Sequence, residues 1–269
     1  MRIGVVGCSG RVGKLLLAAV SAHAAAHLSG GFVRAKSAAL NCDLGEISGQ
    51  KTLGLKASSD LADLAQKSDV LIDFSTPAVA LQAAEIAAKH KIALVSGTTG
   101  FSAAEKQMLA QYAEKTPILW SANMSLGVNI LSMLVEQTAK ILDASFDIEI
   151  LEMHHRNKVD APSGTALLLG ESAAKGRAID LKTHSRTERS GQIGARPNGE
   201  IGFATLRGGD VVGDHTVFFA GAGERLELRH VASERSLFAN GALQAAFWIS
   251  NKPALRLYNM QDVLQNLLV

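Results

Sequence analysis

His154, His155, Arg156 and Lys158 stand almost side by side, and the chain then runs through Val159-Asp160-Ala161-Pro162 into Ser163-Gly164-Thr165. Two imidazoles, a guanidinium and an ammonium directly before a Pro-Ser-Gly-Thr turn suit a small anion with more than one carboxylate. Lysine and arginine give carboxylates charge-assisted hydrogen bonds, and histidine moves protons near neutral pH. The turn also opens a helix, expected from Thr165 to about Lys175, with Ala166, Leu167, Leu169, Gly170 and Ala173 available for its packed face. Its unpaired N–H groups and positive dipole end would point at a bound carboxylate. Taken singly, basic residues after a strand are a solvated rim and Ser-Gly-Thr is an ordinary cap. Their juxtaposition, with Pro162 and Gly164 fixing the backbone between them, favours an anion site.

A second chemical signal lies at the N-terminus. Arg2-Ile3-Gly4-Val5-Val6 reads as a buried strand running into Gly7-Cys8-Ser9-Gly10-Arg11-Val12-Gly13, after which Leu15, Leu16, Ala19 and Val20 recur at helical spacing. Strand, glycine turn and helix are the context of a dinucleotide-binding fingerprint, although Gly-x-x-Gly-x-x-Gly is not its commoner spacing. Gly7 permits the tight turn, Gly10 lets a pyrophosphate approach the backbone, and Gly13 brings the helix close to the strand. Glycines serving only a strand-to-helix turn are the plainer alternative, and Cys8 reads as a small residue within that turn. About 20 residues on, an acidic side chain would bind the 2′-hydroxyl of NAD. Here stands Gly31-Phe32-Val33-Arg34-Ala35-Lys36, in which Arg34, with Arg11 and Lys36 as helpers, suits the 2′-phosphate of NADP.

The elements that must position these groups fall into two patterns. Up to Trp120, apolar strand-like runs (69–74, 92–96, 117–120) alternate with helical segments (78–90, 103–114), the rhythm of a doubly wound parallel sheet. Ligands bind beyond the carboxyl ends of such strands, which draws attention to Phe74-Ser75-Thr76, Gly97-Thr98-Thr99-Gly100 and Ser121-Ala122-Asn123-Met124. After Asn129 the pattern changes. An amphipathic helix is expected over 130–142, then a half-exposed strand over 147–153 leading into His154. Strands over 200–207, 215–220 and 225–230, separated by Gly208-Gly209-Asp210 and Gly221-Ala222-Gly223, favour a mostly antiparallel sheet. Residues 176–199 show little apolar periodicity and read as a mobile loop over the site or an arm to another subunit. The apolar helical run 238–249 is expected to return to the first domain. The fold class is thus α/β: a Rossmann-type parallel sheet formed by residues 1–126 and 236–269, with a smaller α+β substrate and oligomerisation domain, 127–235, built on an open mixed sheet.

Composition narrows the function. A chain of 269 residues can bury substantial cores, and a net charge of +2 without a dense Lys/Arg tract argues against a nucleic-acid surface. The sequence lacks an apolar run of membrane-spanning length, and Met1-Arg2-Ile3 enters a core strand at once, so a cytoplasmic protein without a leader or membrane partner is expected. The two cysteines, Cys8 and Cys42, form neither a disulfide framework nor a metal-type pair, and no metal site is expected.

Four segments together resemble the dihydrodipicolinate reductase family (4-hydroxy-tetrahydrodipicolinate reductases) of the diaminopimelate route to lysine. They are His154 to Ala166, Gly97-Thr98-Thr99-Gly100, Gly209-Asp210-Val211-Val212-Gly213 and Phe238-Ala239-Asn240-Gly241-Ala242, and the resemblance extends over nearly the whole chain. It implies a homotetramer built on the second sheet and a small dicarboxylate substrate. It also implies His154 as acid–base residue and Lys158 as a second proton donor, with His155, Ser163, Gly164 and Thr165 as substrate contacts. Cofactor contacts would come from Gly7, Cys8, Ser9, Gly10, Arg11, Val12, Arg34, Gly97, Thr98, Thr99, Ser121, Ala122, Asn123 and Met124. Val33 departs from members that carry an NAD-serving acid there, so NADPH is the expected cofactor, with NADH possible. Met124 stands where an aromatic residue is frequent. The implied reaction transfers hydride from nicotinamide to an unsaturated cyclic imine and a proton to carbon from His154 or Lys158. Two alternatives stand beside it: another two-domain NAD(P)-dependent amino-acid-pathway dehydrogenase, and a non-catalytic NADP-sensing protein.

Overall fold

Runs of valine, isoleucine and leucine bounded by glycine turns leave the first part of the chain one economical arrangement, strands buried on both faces between helices. The computed structural model describes residues 1–265. It begins with β1 (Arg2–Val6), α1 (Arg11–Ala22), β2 (His27–Phe32), α2 (Leu44–Ile47), β3 (Ala57–Ser58), α3 (Leu61–Gln66) and β4 (Val70–Asp73). There follow α4 (Pro77–His90), β5 (Ala93–Ser96), α5 (Ala103–Ala113) and β6 (Ile118–Trp120). The second pattern comprises α6 (Leu126–Ile141), β7 (Asp147–His154), α7 (Gly164–Gly176), α8 (Leu181–His184), β8 (Ser185–Arg186), β9 (Ile201–Arg207), β10 (Gly213–Gly221) and β11 (Glu224–Ala232). The chain ends in α9 (Ser236–Ile249), β12 (Leu257–Tyr258) and α10 (Met260–Gln265). Met1–Leu126 with the described residues from Arg235 onward form one compact unit, and Gly127–Glu234 a second. The C-terminal positions 266–269, which the sequence reading assigned to the first domain, lie outside the described residues. Among the described residues no helix is long and apolar enough to cross a membrane.

The first unit carries a seven-stranded parallel sheet in the order β12-β6-β5-β4-β1-β2-β3. Winding reverses between β1 and β4, so the crevice at their carboxyl ends is the topological switch point where ligands of such sheets bind. Ile3, Val5, Val70 and Ile72 are fully buried, as a central parallel strand requires. Helix α1 presents Leu16, Leu17 and Val20 to the same core that receives Ala242, Ala246 and Ile249 of α9, so the C-terminal helix does return to this unit. Helix α4 opens with Pro77 behind Thr76, and α5 with a Ser102–Glu105 capping box, both at the ligand-facing ends of strands.

The second unit carries a five-stranded mixed sheet, β11-β10-β7-β9-β8. Strand β10 is antiparallel to both β11 and β7, whereas β7, β9 and β8 run parallel. The Gly208-Gly209-Asp210 turn therefore does not close a hairpin, because β7 lies between the strands it joins. One face of the sheet is sealed by α6 and α7: Leu131, Val135, Leu169 and Ala173 pack on Ile148, Ile150, Ile201, Phe203, Val217 and Phe219. Ile201, Phe203, Val217 and Phe219 are thus the unit's own core. The opposite face bears Leu206 and Val231, which are exposed, and half-buried Leu151, Met153 and Phe218.

Two sequence expectations shift at their edges. The amphipathic helix starts at Leu126 rather than near Ile130. Residues 176–199 are not a free loop: they form α8 and β8, and then an arginine clamp along the start of β7. Arg189 grips Glu149 with both terminal nitrogens at 2.7 and 2.8 Å, and Arg196 reaches Glu149 at 2.9 Å and Asp147 at 2.7 Å. Ion pairs order this arm in place of an apolar stripe, which is why hydropathy alone shows nothing there.

Candidate active site

Strand β7 alternates half-buried and buried positions from Asp147 to His154. Its helix-covered face is apolar at Ile148 and Ile150 and turns polar at Glu152 and His154, the last two residues of that face. Register then fixes the neighbours. Glu152 lies opposite Thr205 on β9 and His215 on β10, and His215 lies opposite His230 on β11. Glu152 is 1 % exposed and accepts from five donors. Oε2 takes His154 Nδ1 at 2.5 Å and Arg207 NH1 at 2.7 Å, while Oε1 takes Arg207 NH2 at 2.9 Å, the Ser163 amide at 3.0 Å and Thr205 Oγ1 at 3.3 Å. Burial works to raise the Glu152 pKa, but Arg207, His154 and the Ser163 amide outweigh it and hold the carboxyl below its ordinary range.

A carboxylate only accepts, so the Nδ1 of His154 carries the proton and Nε2 is the atom available for chemistry. Gly213 keeps that atom clear, because a Cβ there would stand 2.9 Å from Nε2. Burial lowers the His154 pKa, Glu152 opposes this, and the positive charges of Lys158 and Arg207 add to the lowering. His215 crosses the His154 ring edge-on, with centroids 5.0 Å apart, and burial pushes its pKa down to about 4.

The loop beyond β7 is clasped by the β9–β10 connection. Gly208 donates to His154 O at 2.9 Å, His155 to Val211 O at 2.7 Å and Arg156 to Gly209 O at 3.2 Å. Lys158 Nζ is held by Asp160 at 2.8 Å. Helix α7 starts at Gly164, one residue before the expected Thr165, with Ser163 as N-cap: its Oγ accepts from the Ala166 amide at 3.1 Å and meets His215 Nε2 at 3.1 Å. Ser163 is 1 % exposed with its hydroxyl engaged inward, so its side chain shapes the turn, while Gly164 is exposed and Thr165 half-buried. Arg156 and Val159 are solvent-exposed.

In the first unit, the loop after β1 has the shape that its glycines predict. Gly7 adopts φ +76°, and a Cβ there would stand 2.5 Å from Phe74 O. A Cβ on Gly13 would run into Gly7 O and the Cys8 backbone. Gly10 is different: it is exposed, and a Cβ would meet only Gly7 O at 3.2 Å and Phe74 O at 3.8 Å. Little inside the chain demands glycine there, which suits the approach of a ligand to the N-terminus of α1. Two clefts flank Phe74 and Ser75 at the switch point. One, of about 210 Å³, is lined by Gly7, Ser9, Gly10, Val33, Arg34 and Thr76 among others. The other, of about 370 Å³, lies beside Arg11, Val12, Gly97, Thr98, Thr99, Ala122, Asn123 and Met124. Val33 is buried and Arg34 exposed, so the cleft rim carries a cation where an acid would serve a ribose hydroxyl. Cys8 is fully buried, its thiol pushed up to about 12 by burial, so its side chain packs inward as a small residue of the turn. Ser121 turns its hydroxyl onto Asn123 O at 2.8 Å, shaping its own loop.

Sequence reasoning missed the carboxylates beneath both sites. Asp73, fully buried at the end of β4, accepts from Ser96 Oγ at 2.7 Å, Thr98 Oγ1 at 2.8 Å and the Ser75 hydroxyl, and burial raises its pKa. It pins the turns after β4 and β5. Glu152 had one legible signal, its position two residues before His154 on the same strand face. Arg207 and His215 had none, since only the sheet register brings them there.

Comparison with known proteins agrees along the chain. Residues 1–124 match the family described as dihydrodipicolinate reductase, N-terminus, and residues 127–264 its C-terminus. A 4-hydroxy-tetrahydrodipicolinate reductase of Methylocella silvestris is 52% identical over 264 residues, covering 98% of this chain and 97% of that protein. One from Rhizobium rhizogenes is 51% identical over 265 residues, covering 98% and 96%. Among solved structures, a dipicolinate-bound dihydrodipicolinate reductase from Paenisporosarcina sp. TG-14 superposes with TM-score 0.75 at 25% identity, covering 96% of this chain and 97% of that one.

Proposed function

We infer, from the premise that this chain belongs to the dihydrodipicolinate reductase family and is an NAD(P)H-dependent oxidoreductase, that it reduces 4-hydroxy-tetrahydrodipicolinate, by way of dihydrodipicolinate, to tetrahydrodipicolinate. The place of this reaction is the diaminopimelate route to lysine, in the cytoplasm. The observation that carries the reading is a single carboxylate, Glu152, bonded at once to the His154 ring and to the amide that opens the Ser163 turn. A proton-transfer group and a helix N-terminus are thereby built into one site, as a reaction that protonates a bound dicarboxylate requires.

The N-terminus of α7 at Gly164 and Thr165, together with His155 and Lys158, binds the two carboxylates. The helix dipole and the ammonium both favour negative charge there. His154 Nε2 or Lys158 Nζ delivers the proton to carbon. His154 is held toward neutrality before substrate arrives, and the two negative charges of the substrate raise its proton affinity at the moment it must act as an acid. In the first unit, Gly7 to Val12 hold the pyrophosphate of the dinucleotide, Arg34 the 2′-phosphate of NADPH, and Gly97 to Thr99 with Ser121 to Met124 the nicotinamide end. Bound there, the reduced nicotinamide supplies the hydride.

The open sheet face with Leu151, Met153, Leu206, Phe218 and Val231 supports burial between subunits of a homotetramer. Light scattering at micromolar concentration would return the tetramer mass, and a monomer would overturn that part of the reading. The activity itself is tested by NADPH oxidation with freshly formed substrate, alongside thermal shift with pyridine-2,6-dicarboxylate. The expected result is turnover, and a melting temperature raised by the dicarboxylate well beyond the effect of cofactor alone. Absence of both would refute the assignment.

A further inference from the structure

We infer that Glu152 is the positioning residue of this site, using its two carboxylate oxygens to fix the His154 ring and the Ser163 turn in one geometry. The inference rests on the reading of His154 as a proton donor, but its first test does not. Every one of the partners of Glu152 presents a hydrogen: the His154 ring N–H, the Ser163 amide, the Thr205 hydroxyl and the two-pronged Arg207 fork. The Ser163 amide and the Arg207 guanidinium can only donate, and a charged fork on both oxygens holds the carboxyl as an anion, a role a Gln amide cannot fill because it would turn an N–H toward the fork. The division of labour between the oxygens is also informative. Oε2 faces the ring, Oε1 faces the turn, and Arg207 bridges both, leaving the carboxylate no freedom to rotate away from either. Arg207 further donates to Asp160 O at 2.6 Å, so the loop carrying Lys158 hangs on the same fork.

Two consequences distinguish positioning from support. The first is a fixed tautomer: Nδ1 protonated, Nε2 free, in the neutral imidazole. The second is an electrostatic balance. The groups that bear on His154 are Glu152 on its own strand, Arg207 on β9 and Lys158 in the following loop. His215 on β10 faces the ring, His230 on β11 pairs with His215, and Asp160 neutralises part of the charge of Lys158. Only Glu152 favours the imidazolium directly, while burial, Lys158 and Arg207 oppose it. Replacing Glu152 and replacing Arg207 must therefore move His154 in opposite directions, which loss of mere support would not do.

The test uses the full chain. Nitrogen-15 NMR of the imidazoles in wild-type protein without cofactor or substrate should show His154 with Nδ1 protonated and Nε2 bare at neutral pH; the reverse tautomer overturns the inference whatever any variant does. Glu152→Gln should shift the His154 titration to lower pH and Arg207→Gln to higher pH, and shifts of the same sign, or none, also overturn it. In kinetics, Glu152→Gln should lower kcat roughly 10²-fold or more, as loss of an orienting carboxylate behind a catalytic histidine does, and displace the alkaline limb of the kcat profile toward acid. Glu152→Asp keeps the charge but is too short to span ring and turn, and should recover the pH profile without recovering full kcat. If Glu152→Gln does not fold, the wild-type tautomer and the direction of the Arg207→Gln shift decide alone. A wild-type protein with the expected tautomer but no reductase activity would refute the functional reading and leave Glu152 as positioned.

Discussion

Asp73 in the first unit and Glu152 in the second are both carboxyl groups sealed beneath a turn at the end of a strand, and their surroundings shift their proton affinities in opposite directions. Asp73 is ringed by the hydroxyls of Ser75, Ser96 and Thr98, which give hydrogen bonds without charge, and burial pushes it toward its neutral form. Glu152 receives a guanidinium fork and an imidazole, and stays ionised despite burial. The difference follows what each unit has to do. A dinucleotide site needs rigid turns with exposed amides, and a buried negative charge beneath them would repel the phosphates it serves. A proton-transfer site needs a charge that sets the tautomer and proton affinity of its histidine. On the proposed roles, backbone and hydroxyls supply most of the first site, with Arg11 and Arg34 at its edges, and ionised side chains the second.

The largest effect expected from this contrast is on chemistry in the second unit alone. His154→Ala should lower kcat by roughly two to four powers of ten, the range of general acid–base catalysis, with little change in cofactor affinity. Thr165→Ala should instead chiefly raise KM and weaken pyridine-2,6-dicarboxylate binding. Steady-state kinetics and cofactor titration by fluorescence separate the two. Normal turnover in His154→Ala across neutral pH would break the contrast, because the second unit would then hold its ionised cluster for stability only.

A smaller effect should appear on acidification, with opposite signs in the two units. His215 is kept neutral in the fold, with a pKa of about 4 set first by burial and then by His154. Its unfolded value is near 6.5, so the unfolded chain binds the extra proton between these limits. Stability is full above pH 6.5 and is lost as pH falls toward 4, by about 2 kcal/mol at pH 5. His154 and His230, also lowered, act in the same direction. Asp73, with its raised pKa, does the reverse: the folded state holds its proton above pH 3.8, and acid favours it. Hydrogen-exchange protection at pH 5 relative to pH 7 should therefore fall at the ends of β7 and β10 and hold at β4 and β5. His215→Gln, which keeps a donor for Ser163 without titrating, should remove most of the pH dependence. Equal loss in both sheets, or a His215→Gln protein with undiminished sensitivity, would contradict this account.

How much of this was visible in sequence differs between the units for the same physical reason. The parallel sheet, the glycine turn and the strand-end polar loops were legible because each depends on residues adjacent in the chain: Gly7 and Gly13 mark the turn directly, and buried β1 and β4 read as continuous apolar runs. The start of α7 near Gly164 was legible from Pro162, Ser163 and Gly164. The cluster under His154 was not, because Arg207 and His215 reach it by register across strands far apart in sequence. The same limit hides the core face of the second sheet: alternation shows that a strand has two faces, but not that α6 and α7 cover the one bearing Ile201 and Phe203. The arm over residues 176–199 escaped because ion pairs to Glu149 and Asp147, rather than periodic apolar contacts, hold it.

The smallest expected effect concerns Arg34, a charged side chain at the rim of the first cleft. Val33 beside it is buried and offers no acceptor to a ribose 2′-hydroxyl, whereas the exposed guanidinium can take a 2′-phosphate through two parallel hydrogen bonds. NADPH should accordingly bind more tightly than NADH. The margin is limited by solvent, since an exposed ion pair is screened, and about tenfold, or ~1.4 kcal/mol, is the expected scale. Arg34→Ala should weaken NADPH by that factor and leave NADH nearly unchanged, and added salt should narrow the wild-type preference in the same way. Fluorescence titration of both cofactors at two ionic strengths measures this. Equal affinities in the unaltered protein would show that charge at the rim does not select the cofactor, and that the first unit reads the dinucleotide through its backbone and hydroxyls alone.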